Sequence, residues 1–188
     1  AEADVAEEFS ERLAQLASRL KVGDPALMET QVGPLIRSSE VSRVDSWVEE
    51  AVSEGGKLLK DGGVLDNNCY TPTVIYNPSY QSKVSQQEIF GPVVCVYKSD
   101  SLEASLQHAN ALPYAFQAAV FTSNIDTAML VYRNIDASAV MVNEHTAFRV
   151  DGMPFAGLRQ SGLGVGGVPH TIRDMQIEKM LVLNSVNL

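Results

Sequence analysis

The side chains of this sequence that could carry out chemistry are a few cysteines, histidines and glutamates. Cys95 lies in the apolar run PVVCVY, and Cys69 precedes a predicted strand. A reactive thiol needs a partly exposed, electropositive setting, and neither segment offers one. We therefore predict that both thiols are buried and structural, as expected in a reducing compartment.

The three histidines, His108, His145 and His170, are scattered along the chain. We interpret His108 and His170 as surface or packing residues. His145 follows a predicted strand, and ligands of open parallel sheets bind beyond the carboxyl ends of the strands. It is therefore a candidate substrate-binding residue.

Glu88 stands in the segment QEIFGPV, directly before a predicted strand. One interpretation makes Glu88 a solvated residue and Phe90 a core residue. The other starts from Gly91-Pro92, which marks a rigid backbone turn and can hold a charged side chain still. Both interpretations are open at this point.

Several common site signatures are absent from the sequence. It has no GxGxxG after a predicted strand, no GxxxxGK[ST], no HExxH, no CxxC and no GxSxG. Dinucleotide, P-loop, zinc and serine-hydrolase sites therefore lack direct support, and no metal site is predicted.

Composition excludes other classes of function. The 188 residues carry 14 Lys and Arg against 23 Asp and Glu, a formal net charge of −9. Nucleic acids and anionic membranes require a cationic surface, so neither is expected as a partner. With 45% hydrophobic residues, no apolar run long enough to span a membrane and no signal peptide, we expect a cytoplasmic globular protein.

The elements that would position these residues follow from hydrophobic periodicity. Amphipathic helices are predicted over residues 5–20 and 39–54, and short strands over 57–60 and 72–76. The core-facing stripe of the first helix is predicted to be Val5, Phe9, Leu13, Leu16 and Leu20.

The middle of the chain predicts an α/β fold. Strands and helices alternate at residues 92–97, 100–110, 118–122, 126–134 and 138–142. Such alternation predicts parallel strands with right-handed crossovers, arranged as a three-layer open sheet.

The character of the chain changes after Asn143, which ends the last of these strands. Residues 144–167 contain six glycines and little periodicity, and a loop this long inside a compact domain is usually functional. A short β-like run follows at residues 180–183.

Two segments carry a family resemblance. QEIFGPV (87–93) and MPFAGLRQSGLG (153–164) resemble the paired C-terminal signatures of the NAD(P)-dependent aldehyde dehydrogenase superfamily. Four lesser stretches agree with that family in order: LKVGDP, QVGPLI, PTVI and AAVFT. The resemblance implies the family's catalytic-domain fold, an aldehyde substrate and NAD or NADP as cofactor.

The resemblance also assigns roles to individual residues. The Glu of the family's EIFGP motif hydrogen-bonds the nicotinamide ribose and its Phe packs beside the nicotinamide, which implies these roles for Glu88 and Phe90. The Phe of the family's PFGG motif lines the aldehyde pocket and corresponds to Phe155. Asn143 matches the Asn that ends the last strand of the catalytic domain.

Departures from the family pattern limit what this chain can do. It has PFAG in place of PFGG and SGLGVG in place of SGxGRE. The GQxC segment with the nucleophilic Cys, the Rossmann-type cofactor domain and the general-base Glu are all missing. The resemblance thus implies the C-terminal part of a catalytic domain (1–178) with an oligomerisation strand and tail (179–188), inactive alone and homo-oligomeric when intact.

The loop before Phe155 bears on the substrate. Branches that oxidise neutral aldehydes commonly place an aromatic residue there. Counting back from Phe155 gives Arg149 for that position, and counting forward from Asn143 gives Phe148. The runs at 147–162 and 165–180 most resemble the branch that oxidises phosphono- and phosphorylated aldehydes, in particular phosphonoacetaldehyde. An arginine there could bind the anionic group, or it could be a surface residue paired with Asp151.

Two further hypotheses stand beside a dehydrogenase. The chain could be a non-catalytic assembly or binding module derived from the family, or a relative that acts on acyl phosphates. The MPFAGLRQSG stretch fits the aldehyde-oxidising branch better.

Overall fold

The computed structural model describes residues 1–60 and 62–186 and divides the chain into two compact units, Ala1–Ser105 (the N-terminal unit) and Leu106–Leu188 (the C-terminal unit). The described residues form six helices: α1 (Ala3–Ala17), α2 (Ser38–Ser53), α3 (Lys83–Gln86), α4 (Leu102–Asn110), α5 (Ile125–Asn134) and α6 (Val168–Asp174). They also form seven strands: β1 (Lys57–Leu58), β2 (Thr73–Tyr76), β3 (Val93–Val96), β4 (Tyr114–Ala115), β5 (Gln117–Val120), β6 (Ala139–Val142) and β7 (Leu158–Arg159).

The N-terminal unit has helices on both faces of a three-stranded sheet. The strand order is β1-β2-β3, with β2 and β3 parallel and β1 antiparallel to β2. Side chains of β2 alternate between the faces: Ile75 joins a core cluster with α2 and α3, whereas Val74 packs against Ala14 of α1. This arrangement confirms the predicted α/β class and its three layers. The strands predicted as one parallel run over residues 92–142 instead belong to two sheets, with β3 paired to β2 and β5 paired to β6.

Helix α1 buries a face that shares only Leu13 with the predicted stripe. Its buried residues are Ala6, Ser10 and Ala14. Phe9 of the predicted stripe is 51% exposed, and Leu16 is more exposed still. These small side chains let the helix backbone approach β2 closely. The face that packs against the sheet is therefore next to the most hydrophobic face of the helix and not identical with it. The Ser10 hydroxyl donates to the Glu7 carbonyl at 2.8 Å, so its burial leaves no unpaired donor.

The C-terminal unit contains the second parallel pair, β5 and β6, joined through α5. Helix α5 begins as predicted because the Asn124 side chain accepts from the backbone N–H groups of Asp126 and Thr127. In this unit the sequence patterns did not predict the short antiparallel pair β4–β7 or helix α6, and in the N-terminal unit they did not predict α3. The strands β4 and β7 have only two residues each, too few to show a period.

Residues 179–186 are exposed and adopt no helix or strand. A strand that pairs with another subunit has no partner within one chain, so the oligomerisation strand stays a prediction. Asn187 and Leu188, at the end of that predicted segment, lie outside the described residues. In the part of the chain that the structure describes, every helix is too short or too polar to cross a membrane.

The sheet core makes a prediction about stability. Ile75 of β2 is fully buried against α2, so Ile75→Ala should cost about 2–5 kcal/mol of unfolding free energy through lost burial and a residual cavity. Val94 on the neighbouring strand is about half-exposed, and Val94→Ala should change stability by no more than about 0.5 kcal/mol. Urea denaturation of both variants measures the difference, and equal losses would contradict the assigned core.

Candidate functional site

The turn between α3 and β3 carries two exposed side chains, Glu88 and Phe90. Phe90 is 73% exposed and has a positive φ of 49°. A bulky residue in the left-handed region costs about 1–3 kcal/mol and persists only where the surroundings impose it. Phe90 is therefore not a core residue, which excludes one of the two interpretations of this segment.

Helix α2 holds this turn from behind. The Arg43 guanidinium donates from Nη2 to the Ile89 carbonyl at 2.6 Å. The Ile89 side chain packs against the core cluster of α2 and β2. At Gly91 an added Cβ would lie 3.0 Å from Val44 Cγ2, so the buried Val44 side chain or the turn would have to shift by a few tenths of an ångström. The backbone is thus fixed while Glu88 and Phe90 face outward.

The exposed pair has the chemistry that a nucleotide sugar and an adjoining aromatic ring require. An ionised carboxylate can accept hydrogen bonds from two hydroxyls. Glu88 forms no hydrogen bond or ion pair with any described residue. Phe90 offers a nearby apolar face. The two residues therefore fit the cofactor role that the resemblance implies for them.

Asn143 organises the end of the parallel pair in the C-terminal unit. Its φ is 57°, a left-handed conformation that Asn tolerates. The side chain accepts from the Thr122 N–H at 2.8 Å and donates to the Thr122 carbonyl at 2.9 Å, and its own N–H donates to the Val120 carbonyl. Asn143 thus ties the ends of β5 and β6 together where the glycine-rich loop begins.

Phe155 of that loop is held by backbone hydrogen bonds and by a ring contact. Its N–H donates to the Gly166 carbonyl at 3.0 Å, and its carbonyl accepts from the Gly166 N–H at 2.7 Å. The ring meets the edge of Phe116, with centroids 4.8 Å apart and planes at 89°. Nearly half of the residue is exposed. Phe155 is held firmly while part of its ring stays accessible.

Arg149 lies against the same ring. Its guanidinium carbon is 4.4 Å from the Phe155 centroid, within cation–π distance. Among the described residues it forms no hydrogen bond or ion pair, with Asp151 or with any other. The surface ion pair considered as an alternative is therefore not observed. The structure brings Arg149 and Phe155 together, and the guanidinium N–H groups are not committed to a carboxylate.

Phe148 and His145 are placed differently. Phe148 helps to line a cavity of about 410 Å³ beside β6, whose wall also includes Glu144 and Met153. The exposed His145 lies 3.4 Å from Glu144 Oε1 and does not line that cavity. Phe148 therefore lies in the wall of this cavity, whereas His145 lies outside it.

Arg159 is a residue that the sequence patterns missed. Its Nη1 donates to the carbonyls of Asn110 and Leu112 at 2.8 and 2.5 Å, and Nη2 pairs with Asp136. These contacts tie the backbone four residues after Phe155 to the end of α4 and to Asp136. The only signal in the sequence was the position of Arg159 within the GLRQSG stretch.

The two cysteines are poor nucleophiles in this fold. Cys69 is buried, and Cys95 is half-buried among core residues. Burial raises the pKa of the Cys95 thiol, because the charged thiolate is poorly solvated there. Neither thiol has the electropositive setting that an activated cysteine needs.

The aldehyde dehydrogenase family model matches residues 1–181. The chain belongs to the aldehyde dehydrogenase family. This membership confirms the resemblance seen in the EIFGP and MPFAGLRQSG segments.

Two relatives are 3-sulfolactaldehyde dehydrogenase of Priestia aryabhattai and sulfoacetaldehyde dehydrogenase of Neptuniibacter caesariensis. The first is 38% identical over 94% of this chain and 37% of its own length. The second is 33% identical over 96% of this chain and 40% of its own length. The chain therefore spans well under half the length of these aldehyde dehydrogenases.

Solved aldehyde dehydrogenases share the fold. Aldehyde dehydrogenase 21 from Physcomitrella patens, in complex with its product succinate, superposes with a TM-score of 0.91 at 33% identity, over 98% of this chain and 38% of that one. Glyceraldehyde-3-phosphate dehydrogenase GapN from Methanocaldococcus jannaschii, complexed with NADP, gives 0.87 at 33% identity over 93% and 38%. Betaine aldehyde dehydrogenase from Staphylococcus aureus, with NAD+, gives 0.84 at 26% identity over 92% and 35%.

The thiol environments make a second prediction. Because Cys69 is buried and burial raises the pKa of Cys95, a thiol reagent should label both at least about tenfold more slowly in the folded chain than in urea. The variants Cys69→Ser and Cys95→Ser assign the rates to single thiols. Labelling of folded Cys95 at the unfolded rate would mean that its thiol is accessible and reactive.

Proposed function

We propose that this chain is the C-terminal part of the catalytic domain of an aldehyde dehydrogenase that oxidises an anionic aldehyde to a carboxylate with NAD or NADP. The observation that carries the proposal is the Arg149 guanidinium lying on the Phe155 ring, with its donors uncommitted. It joins a cation to the residue that the family motif assigns to the aldehyde pocket.

The proposed cofactor site is formed by Glu88 and Phe90. The Glu88 carboxylate accepts hydrogen bonds from the nicotinamide ribose, an orienting contact of about 1.5–3 kcal/mol. Phe90 provides an apolar surface beside the nicotinamide. When bound, the dinucleotide accepts hydride from the substrate. The NADP and NAD+ complexes of structural relatives support either cofactor.

The proposed substrate carries a sulfonate, phosphonate or phosphate group. A net charge of −9 repels anions at long range, so such a substrate needs a local cation, and Arg offers a planar fork that matches these oxygens. Two relatives are named for sulfonated aldehydes and a structural relative for glyceraldehyde 3-phosphate. Phe155 supplies the apolar wall along the rest of the substrate.

This chain does not supply the nucleophile in our proposal. It spans 37–40% of the length of its relatives, its thiols are in the core, and no GQxC segment is present. We expect the nucleophilic cysteine, the general base and the cofactor domain elsewhere in the complete enzyme, so the 188-residue chain alone should show no turnover. Its two free cysteines are consistent with a cytoplasmic enzyme, and we propose that the complete enzyme is a homo-oligomer.

Substitution of Arg149 in the complete enzyme tests the substrate class. Arg149→Leu should lower kcat/KM for phosphonoacetaldehyde about 30- to 150-fold, because one charged hydrogen-bonding partner is lost. A neutral aldehyde of similar length should be spared. Both values are measured at one fixed ionic strength, since screening would alter the charged contact.

The control is Arg173→Leu, which removes an exposed arginine of α6 and should leave both substrates unaffected. Equal losses for the two aldehydes in Arg149→Leu would show that Arg149 supports the loop rather than the anion. The anionic-substrate proposal would then fail.

A further inference from the structure

We infer that Arg43 is a positioning residue for the cofactor: it holds the Ile89 carbonyl and thereby sets the direction in which Glu88 and Phe90 face. The inference rests on the proposed cofactor role of that turn. Arg43 lies on α2, 45 residues before Glu88. Its described contacts are with Glu40, the Ile89 carbonyl and Trp47, and not with the side chains of Glu88 or Phe90.

The Arg43 guanidinium is held by three different contacts. Nε donates to Glu40 Oε2 at 2.8 Å, and Nη2 donates to the Ile89 carbonyl at 2.6 Å. Its central carbon lies 4.4 Å from the centroid of the Trp47 ring. Only about a quarter of the side chain is exposed. The donor that reaches the turn is therefore fixed by the helix itself.

The Ile89 carbonyl is a sensitive point of the turn. A peptide unit is planar, so this oxygen and the Phe90 nitrogen move together. Phe90 has a left-handed φ of 49°. To reach an ordinary extended conformation the peptide unit would have to rotate, and the hydrogen bond to the Ile89 oxygen restrains that rotation. The hydrogen bond from Arg43 thus offsets the cost of the strained residue and keeps its ring outside the core.

Glu40 completes the support. It pairs with Arg43 and, at 3.5 Å, with Arg37. Hydrogen bonding from Arg43 lowers the pKa of Glu40, so the carboxylate stays ionised at neutral pH and keeps its hold on Nε. Arg37 is mostly exposed, and its ion pair with Glu40 is the contact that links it to this group. Replacement of Arg37 is therefore a matched control, because it removes an arginine paired with Glu40 and leaves the hydrogen bond from Arg43 to the turn in place.

A purely structural arginine and a positioning arginine differ in what their loss changes. A structural role predicts lower stability with unchanged affinity for cofactor in the enzyme that remains folded. A positioning role predicts weaker cofactor binding and a looser turn, with little change in KM for the aldehyde.

The experiment compares Arg43→Met, Arg43→Lys, Arg37→Met and Glu88→Gln in the complete enzyme. Equilibrium titration with NAD+ and NADP+ measures cofactor affinity, and hydrogen–deuterium exchange of the peptide 87–93 without cofactor measures the turn. Arg43→Met should raise the cofactor dissociation constant about tenfold and speed exchange in that peptide at least about tenfold. Arg37→Met should change neither.

Arg43→Lys provides a second test if Arg43→Met folds poorly. Lysine keeps the charge but lacks the fixed fork that bonds Glu40 and Ile89 together, so we expect an intermediate loss of about threefold in cofactor affinity. Unchanged affinity and unchanged exchange in the folded fraction of either Arg43 variant would overturn the inference.

Glu88→Gln separates this inference from the proposed function. If Glu88→Gln weakens cofactor binding and the Arg43 variants do not, only the positioning role fails. If Glu88→Gln leaves cofactor affinity unchanged, the proposed cofactor site fails, and the role of Arg43 fails with it.

Discussion

The hydrogen bond from Arg43 to the Ile89 carbonyl is the contact on which the exposed turn of the N-terminal unit depends. It joins a helix that is anchored in the core to a loop whose two flanking side chains face solvent. Without such a support, Phe90 would gain by leaving the left-handed region and burying its ring. The conformation of the turn is therefore imposed by its contacts with the helix, and its strain is consistent with a binding role.

The C-terminal unit uses the same principle with different contacts. Asn143 fixes the ends of the parallel pair, and the backbone bonds between Phe155 and Gly166 fix the loop that follows. The segment between them presents Arg149 against an anchored ring. In both units rigid backbone lies behind an accessible side chain, which is what orientation of a ligand requires.

Local patterns predicted the α/β class and most helix and strand positions, because periodicity and turn residues act over short distances. The cofactor role of Glu88 comes from the family resemblance and stays a prediction. Local patterns could not predict which face of α1 is buried, since a row of small residues packs closely without being the most hydrophobic. They also missed Arg43, because its partner lies 46 residues away in sequence and no short pattern links the two. The sequence also could not predict the cation–π contact of Arg149 with Phe155, although the motif placed both residues in the same loop.

The central claim is that Glu88 binds the nicotinamide ribose, and a crystal structure of the complete enzyme with its dinucleotide bound tests it most directly. The measured quantity is the distance from the Glu88 carboxylate oxygens to the ribose hydroxyls. Our account predicts hydrogen bonds of about 2.5–3.0 Å to them, with Phe90 beside the nicotinamide. A fully occupied cofactor whose ribose lies beyond hydrogen-bond distance of Glu88 would contradict it.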